Sequence, residues 1–311
     1  MEGHMDILCA GVALVDSIIK GFDPEPVSAS GYRAESGTLK AGGEAVNQSV
    51  AAARLGMKTG ICCGLGNDEA GSLVLGYLQR NGVNTEHAVC SGEHATPVTT
   101  MFVRNDGTRK SITNTAHRYN FHPERYISCF SGVRAVIIGS LFRAPFDDPD
   151  IIFRVLRGAR AAGLTVFADT KLPNFRVLSL DDVKEALPLI DYITPNEDEA
   201  RYYTGKTDPA AMAETFLEYG VRNVIVKLGG KGCCFRNARE EINLAALPVQ
   251  AVDSTGAGDC FIAGFASEIL RGSSHKKALR FANACGAICT TAVGAGTALR
   301  DRDQVLQLLG E

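Results

Sequence analysis

The sequence lacks the features of a nucleic-acid-binding or membrane protein. Its 32 lysines and arginines are outnumbered by 35 aspartates and glutamates, which gives a formal net charge of −3. This leaves no basic footprint for nucleic acid or for an anionic membrane. No apolar run approaches the roughly 20 residues that a membrane span needs, and the N-terminus has no charged-then-apolar signal pattern. These absences predict a cytoplasmic protein with neither nucleic acid nor membrane as a partner.

Zinc-site and disulfide patterns are also missing. The ten cysteines include two adjacent pairs but no CxxC, and the six histidines are scattered. A chain of 311 residues is too large to need disulfide staples. The thiols are therefore expected to be reduced and mostly buried.

Three common nucleotide and nucleophile motifs fail at defined positions. TGKT at 204–207 ends like a Walker A loop, but Ala200 stands where the first glycine is required. GLGNDEAG at 64–71 and GAGDCF at 256–261 are not dinucleotide fingerprints, because Glu69 and Phe261 take the place of the third glycine. No GxSxG nucleophile elbow occurs.

What the sequence does contain is a repeated alternation of apolar strands and amphipathic helices. Helical spacing occurs at 44–56, 71–83 and 151–163, and another helix begins near Asp259. Runs typical of buried strands occur at 6–16, 59–66, 134–140, 164–170, 191–196 and 223–232. The alternation predicts an α/β fold with a doubly wound, mostly parallel central sheet flanked by helices. We expect one domain over 1–311, with 1–4 as an expression scar.

Two segments depart from this alternation. Residues 17–40 contain strand-like pieces with Pro24, Pro26 and Gly31, and residues 96–114 surround an Asn-Asp-Gly turn. The second segment is typical of a hairpin. Together the two segments predict a small sheet beside the main one.

Ligands of open parallel sheets bind outside the carboxyl ends of the strands, and AGGEAVNQ at 41–48 lies in such a place. Gly42 and Gly43 allow close backbone approach at a helix start. Asn47, one turn later, can donate and accept hydrogen bonds. A loop with a helix cap is the alternative interpretation.

Two further motifs also follow strands. In TPNEDEA at 194–200, Asn196 and Glu199 share a helix face and suit an Mg²⁺-bound water shell; an N-cap with an acidic first turn is the alternative. In VKLGGKG at 226–232, Lys227 and Lys231 flank glycines. Phosphate recognition and a solvated hairpin turn are both consistent with that pattern.

The stretch DSTGAGDC at 253–260 carries the strongest chemical signal. Gly256, Ala257 and Gly258 at a helix start leave uncovered amides, which with the helix dipole form a seat for an anion. Asp259 lies in the same field, which favours its ionised form and makes it a proton acceptor. An anion seat beside a base is what phosphoryl transfer to a hydroxyl requires. The alternative is an acidic cap on a buried helix.

DSTGAGDCFIAGF resembles the C-terminal signature of the ribokinase-like (PfkB) carbohydrate kinases, and AGGEAVNQSVAAARLG resembles their N-terminal signature. The other two motifs fall where the family has its intermediate motifs. The resemblance implies transfer of phosphate from ATP to a sugar hydroxyl with Mg²⁺, and in many members a monovalent cation such as K⁺. The two irregular segments match the family's lid, which closes over the sugar and often mediates homodimers.

The resemblance also implies a role for each motif residue. Asp259 would be the general base, and the amides of Gly256, Ala257 and Gly258 would form the anion hole. The implied sugar-binding residues are Asp16, at the end of the first strand, with Gly42, Gly43 and Asn47. The implied nucleotide-binding residues are Asn196, Lys227, Gly229, Gly232 and Asn283. Asn196 and Glu199 would organise Mg²⁺, and Asp253 and Thr255 would hold the monovalent cation.

Several positions depart from ribokinase itself and leave the acceptor open. Glu44 and Ala45 stand where ribokinases usually carry Lys-Gly, and GSLFRAP at 139–145 lacks their sugar-binding Glu. Lys227 stands where a Thr is common, and Lys171 is a second cation at a strand end that faces either phosphate or solvent.

Two other functions remain open on the same scaffold. A nucleoside kinase would need a base pocket under the lid, where Phe102, Tyr119 and Phe142 are aromatic candidates for stacking. A non-catalytic sugar sensor would keep the fold, but it has no use for the base at Asp259.

Overall fold

The structure is a computed structural model of the 311-residue chain, and it describes residues 4–21, 34–104, 109–114 and 121–311. Some sequence features lie outside the described residues. These are most of the predicted expression scar, Pro24, Pro26 and Gly31, the Asn-Asp-Gly turn at 105–107, and Tyr119.

Thirteen strands and eight helices occur in the described part of the chain. The strands are β1 (Met5–Ala10), β2 (Leu14–Lys20), β3 (Ser36–Gly42), β4 (Thr59–Gly66), β5 (Ala88–Ser91), β6 (Val98–Val103), β7 (Arg109–Thr113), β8 (Val133–Leu141), β9 (Thr165–Thr170), β10 (Tyr192–Ile193), β11 (Asn223–Lys227), β12 (Cys233–Asn237) and β13 (Glu241–Leu244). The helices are α1 (Glu44–Arg54), α2 (Glu69–Arg80), α3 (Pro149–Ala161), α4 (Glu197–Thr204), α5 (Pro209–Glu218), α6 (Ala257–Leu270), α7 (His275–Cys289) and α8 (Arg302–Leu309).

The large sheet has the strand order β13-β12-β11-β10-β9-β8-β1-β4-β5. Neighbours from β11 to β5 are parallel, and β12 and β13 are antiparallel additions at one edge. Successive residues of β1 enter two separate apolar clusters: Ile7 and Cys9 pack with α1, α6 and α7, whereas Leu8 and Ala10 pack with α3 and α5. Burial on both faces explains the continuous apolar runs and confirms the doubly wound fold.

Four strands form a second, small sheet in the order β3-β2-β6-β7. The segment 96–114 contributes the antiparallel pair β6 and β7, which confirms the predicted hairpin strands. The small sheet is therefore built from the two segments that break the strand–helix alternation.

The prediction of one strand over 6–16 is wrong, because the chain leaves the large sheet at Gly11. This glycine has a φ of +156°, and a Cβ there would lie 3.2 Å from the carbonyl oxygen of Gly139. Beyond it, β2 joins the small sheet. Asp16 therefore lies within a strand of the small sheet and not at the end of the first strand.

Other predicted boundaries also change. The run at 191–196 holds only the two-residue strand β10, and the run at 223–232 ends as a strand at Lys227 and turns back through Gly229–Lys231 into β12. The strands β5, β12 and β13 and the helices α5, α7 and α8 were not predicted. No helix among the described residues has the length and apolar character needed to cross a membrane.

Candidate active site

Motifs that are far apart in the sequence meet at the carboxyl edge of the large sheet. Asn47 at the start of α1 contacts Asp259 at the start of α6. Glu44, also on α1, faces Lys171, which directly follows β9. Lys227 at the end of β11 contacts Asp169 on β9. Four segments thus bring their charged side chains to one place, as strand ends of a parallel sheet must.

Asp259 is buried and hydrogen-bonded through both carboxylate oxygens. It is the third residue of α6 and only 5% exposed. The Asn47 side-chain amide donates to Oδ2 at 2.9 Å, and the Gln48 amide donates to Oδ1 at 3.0 Å. Gln48 is fully buried, and the sequence analysis did not single it out. Two consecutive residues of α1 therefore fix the position of the carboxylate.

Burial raises the pKa of Asp259 to about 7. Lys171 opposes this rise, while Glu44 and Asp169 add to it and the Asn47 hydrogen bond lowers the pKa again. The expectation that the helix start would favour the ionised form is wrong, because removal from water outweighs it. A carboxyl that titrates near neutral pH is well matched to general-base chemistry.

The start of α6 offers two open amides in place of the expected three. Gly256 has a φ of +79°, and a Cβ there would lie 2.7 Å from the Ala295 side chain, so only glycine fits. The amide of Ala257 already donates to the Ser254 carbonyl at 3.2 Å. Within the described ranges, the amides of Gly256 and Gly258 have no such partner. These two amides are the donors available to an anion.

Lys227 lies against this helix start. Its ammonium is 2.5 Å from Asp169 Oδ1, and a Cβ on Gly258 would lie 3.2 Å from it. Asp169 is 1% exposed and also accepts a hydrogen bond from the Thr194 hydroxyl. The sequence analysis missed Asp169; its only signal was an acid near the end of a buried strand.

Asn196 and Glu199 form a capping box at the start of α4. Asn196 Oδ1 accepts from the Glu199 amide at 2.9 Å, and Glu199 Oε2 accepts from the Asn196 amide at 3.0 Å. Glu199 Oε2 also accepts from the Thr170 hydroxyl at 2.9 Å, and burial raises the pKa of Glu199. No group of three or more potential metal ligands occurs among the described residues. Asn196 Oδ1 and Glu199 Oε2 are thus already engaged by the start of α4.

The acceptor side of the site is formed by Asp16 and the turn into α1. The Asp16 carboxylate lies directly over Gly42, and burial together with Glu44 raises the pKa of Asp16 to about 6. Gly43 has a φ of +96°, and a Cβ there would collide with the Val12 carbonyl. Asp16 also borders a cavity of about 620 Å³ that lies between the small sheet and α2.

The remaining predicted residues fall into two groups. Gly232 packs against the Leu244 carbonyl, and Asn283 of α7 donates to the next carbonyl, of Ala245, at 3.4 Å. Gly232 and Asn283 are thus close together beside the hairpin that Gly229 begins. Asp253 accepts from the Thr255 amide at 3.0 Å and from the Gly294 amide at 2.9 Å.

Two of the aromatic candidates can be placed. Phe142 is 1% exposed and packs on Tyr203 with 4.5 Å between ring centroids, so core packing, which explains such aromatics as well as base stacking does, accounts for it. Phe102 is half-buried on β6 of the small sheet.

A doubly wound sheet with a small second sheet, and a glycine-rich helix start at its carboxyl edge, defines a protein with the ribokinase-like fold. Residues 10–302 match the pfkB family of carbohydrate kinases. The chain belongs to this family and is an ATP-dependent sugar kinase.

Relatives and solved structures agree with this assignment. A ribokinase of Arabidopsis thaliana is 31% identical over 296 residues, which cover 89% of this chain and 74% of that protein. A 2-dehydro-3-deoxygluconokinase of Bacillus subtilis is 29% identical, covering 85% of this chain and 84% of its own. The structure of Arabidopsis thaliana ribokinase complexed with ribose and ATP superposes with a TM-score of 0.87 and 26% identity, covering 99% of this chain and 100% of that one.

We predict that Asp259→Asn stabilises the fold more at pH 8 than at pH 5. The pKa of Asp259 is about 7 when folded, against an ordinary aspartate value of about 3.9. Folding therefore takes up a proton between these pH values, and the penalty on the carboxylate becomes complete as pH rises through the folded pKa. Thermal unfolding at both pH values measures the effect.

Asp303→Asn serves as the control for this experiment, because Asp303 is an exposed acid in the first turn of α8. Its change in Tm should be small at both pH values. An Asp259→Asn gain in Tm that is the same at pH 5 and pH 8 would contradict the raised pKa.

Proposed function

We propose that Asp259 is the general base of this sugar kinase. The observation that carries the proposal is a buried carboxylate of pKa about 7, held by two side-chain amides directly after an open helix start. Asp259 takes the proton of the acceptor hydroxyl as the new oxygen–phosphorus bond forms. The bond from the γ-phosphorus to its bridging oxygen breaks, and ADP leaves with that electron pair.

The negative charge of the transferred group is stabilised at the start of α6. The amides of Gly256 and Gly258 lack other backbone partners in the described part of the chain, so we assign them to this charge. The helix dipole has the right sign, and the Lys227 ammonium lies beside Gly258. The Ala257 amide already donates to the Ser254 carbonyl. Ala257 therefore contributes to the anion site mainly through its small side chain.

We assign the acceptor to the side of Asp16, Gly42 and Gly43. The Asp16 carboxylate is suited to accept hydrogen bonds from sugar hydroxyls, and the two glycines leave room for close approach. The Asn47 side chain holds the Asp259 carboxylate in position. Asn47 therefore acts on the sugar in part by positioning the base. Asn196, Gly229, Gly232 and Asn283 are assigned to the nucleotide.

We assign Mg²⁺ to the phosphates of bound ATP, with Asn196 and Glu199 acting through water. The cation would neutralise phosphate charge during transfer. The capping box occupies Asn196 Oδ1 and Glu199 Oε2, which leaves Glu199 Oε1 for a bound water. K⁺ is assigned to the loop of Asp253 and Thr255, which the Gly294 amide ties to the loop after α7.

The acceptor is a small sugar whose identity the matched relatives do not decide, since they are named for different substrates. A nucleoside is the second candidate. The cavity of about 620 Å³ beside Asp16 lies in the size range of sites for drug-sized ligands, and Asp16 is the one residue of its lining that we assign to the acceptor.

We propose that the small sheet is a lid over the acceptor and the surface of a homodimer. It carries Asp16 on β2, so closure over the sugar would complete the site. Leu39 and Ile112 are aligned across the sheet through Ser17 and Thr100. Their exposed fractions are 62% and 68%, which suits an apolar contact between two copies.

Asp259→Asn should lower kcat by roughly 10²–10⁴, the usual worth of a general base. Asparagine keeps the size of the side chain but cannot accept the proton, and KM should change little because other groups bind the substrates. The assay is coupled ADP release over ketoses, aldoses, polyols and nucleosides. Turnover only with nucleosides would select the second candidate, and binding without turnover would indicate a sensor.

Two further variants serve as controls for this measurement. Asp303→Asn should keep parental turnover, whereas Gly258→Val should lose it, because a branched side chain covers the open amides and meets Lys227. Turnover of Asp259→Asn within a few-fold of the parent on the preferred acceptor would remove Asp259 from the role of base.

Glu199→Gln should raise the Mg²⁺ concentration needed for half-maximal activity without unfolding the protein. Glutamine can still accept from the Asn196 amide and the Thr170 hydroxyl, so the capping box survives while the charge is lost. Mg²⁺ titration of the ADP-release rate, with Tm measured alongside, tests this. An unchanged Mg²⁺ requirement would exclude Glu199 from the metal role.

A saturating acceptor sugar should slow hydrogen exchange in β2, β3, β6 and β7 while leaving β1 unchanged. Closure of the small sheet would remove its amides from water, whereas β1 is already in the centre of the large sheet. Hydrogen-exchange rates in the four strands that are the same with and without the sugar would count against a lid.

A further inference from the structure

We propose that Lys171 is an additional catalytic residue, whose ammonium contacts the phosphoryl group during transfer and is oriented by Glu44. The inference rests on the proposed function. None of the motifs that define the site includes Lys171, yet it lies between the acceptor side and the phosphate side.

The backbone of Lys171 is held on both sides. Its amide donates to the Leu141 carbonyl at 2.9 Å, and its own carbonyl accepts from the Tyr203 hydroxyl at 2.6 Å. The residue directly follows β9. The start of the side chain is therefore fixed at the carboxyl edge of the sheet, where Asp259 also lies.

The ammonium itself is loosely held. Its one ion pair is with Glu44 Oε1 at 3.7 Å, which is too long for a hydrogen bond. Across the described ranges, no acceptor lies within hydrogen-bond distance of it. An ammonium has three donors, and 71% of this side chain is removed from solvent. Such a group has donors to spare for a ligand.

The surrounding carboxylates are already held by other residues. Asp259 is bonded to Asn47 and Gln48, Asp169 to Lys227, and Glu199 to the start of its own helix. These carboxylates and Glu44 raise the pKa of Lys171 despite its burial, so it stays charged. A charged ammonium without a close carboxylate partner among the described residues can accept an anionic ligand.

The γ-phosphoryl group is the anion that the reaction brings to this place. It must approach Asp259 to meet the acceptor oxygen, and Lys171 is among the charges that act on Asp259. Lysine is a common point charge for phosphate. Glu44, the first residue of α1, limits the positions that the flexible lysine side chain can take.

A purely structural role is the competing explanation, in which Lys171 only neutralises nearby acids. That role predicts a lower Tm and a shifted pH profile on removal, but no loss of kcat where Asp259 is fully ionised. The titratable groups that face Asp259 are Lys171, Glu44 and Asp169, together with the thiols of Cys9 of β1, Cys260 of α6 and Cys289 of α7. Because Lys171 lowers the pKa of Asp259, Lys171→Met should move the acidic limb of kcat/KM to higher pH. Glu44→Gln should move it to lower pH.

The test is kcat at pH 9, which lies above the acidic limb of the pH profile both for the parent and for Lys171→Met. We expect Lys171→Met to lose roughly 10²–10³ in kcat, as for loss of one donor to transition-state charge, with little change in either KM. Lys171→Arg should recover part of the loss. Lys184→Met, at an exposed lysine, is the matched control and should keep the parental rate. A Lys171→Met kcat at pH 9 within threefold of the parent overturns the inference.

A second measurement needs no turnover and no acceptor. ADP with aluminium fluoride mimics the transferred phosphoryl group, and its binding is followed by calorimetry. We expect Lys171→Met to bind ADP alone like the parent and to bind the mimic at least tenfold more weakly. Equal affinity for the mimic, or no binding of it by the parent, overturns the inference. An inactive Asp259→Asn beside a fully active Lys171→Met would leave the proposed function in place and remove only Lys171.

Discussion

The hydrogen bonds from Asn47 and Gln48 to Asp259 are the constraint on which the rest of the site depends. They join the start of α1 to the start of α6, and these helices pack on each other across the core. A buried carboxylate without donors would be strongly unfavourable. With two amide donors it is tolerated, while the burial that remains raises the pKa of Asp259 to about 7. The same two hydrogen bonds therefore hold α1 against α6 and leave Asp259 with a pKa at which it can exchange a proton.

The carboxyl edge of the sheet concentrates charges of both signs because each parallel strand ends there. Asp169, Lys171 and Lys227 lie at or directly after the carboxyl ends of buried strands. Lys227 lies beside Gly258 and has Asp169 as a close partner. Lys171 differs because its partner Glu44 is distant. The two lysines that we assign to the phosphoryl group therefore differ in how closely the protein itself pairs them.

Much of the fold was readable because the large sheet is buried on both faces. Its apolar runs stand out, and the glycine-rich helix starts mark the site. The sequence could not show that the run at 6–16 divides at Gly11, because that depends on contact with Gly139 in another strand. Nor could it show the pKa of Asp259: helix position alone argues for a low value, whereas burial argues for a high one. Gln48 and Asp169 escaped notice for the same reason, since each becomes informative only through partners more than 20 residues away.

The two sheets divide the work of the enzyme between them. In the proposed mechanism, the helix starts and strand ends of the large sheet carry the base, the open amides and the two lysines, which position the phosphoryl group and stabilise its charge. Asp16 and one wall of the cavity beside it belong to the small sheet, to which we assign the acceptor. A change of acceptor therefore requires altered side chains on the small sheet but leaves the buried bonds around Asp259 intact. On this proposal, kinases named for different sugars can share one fold and differ in their small sheets.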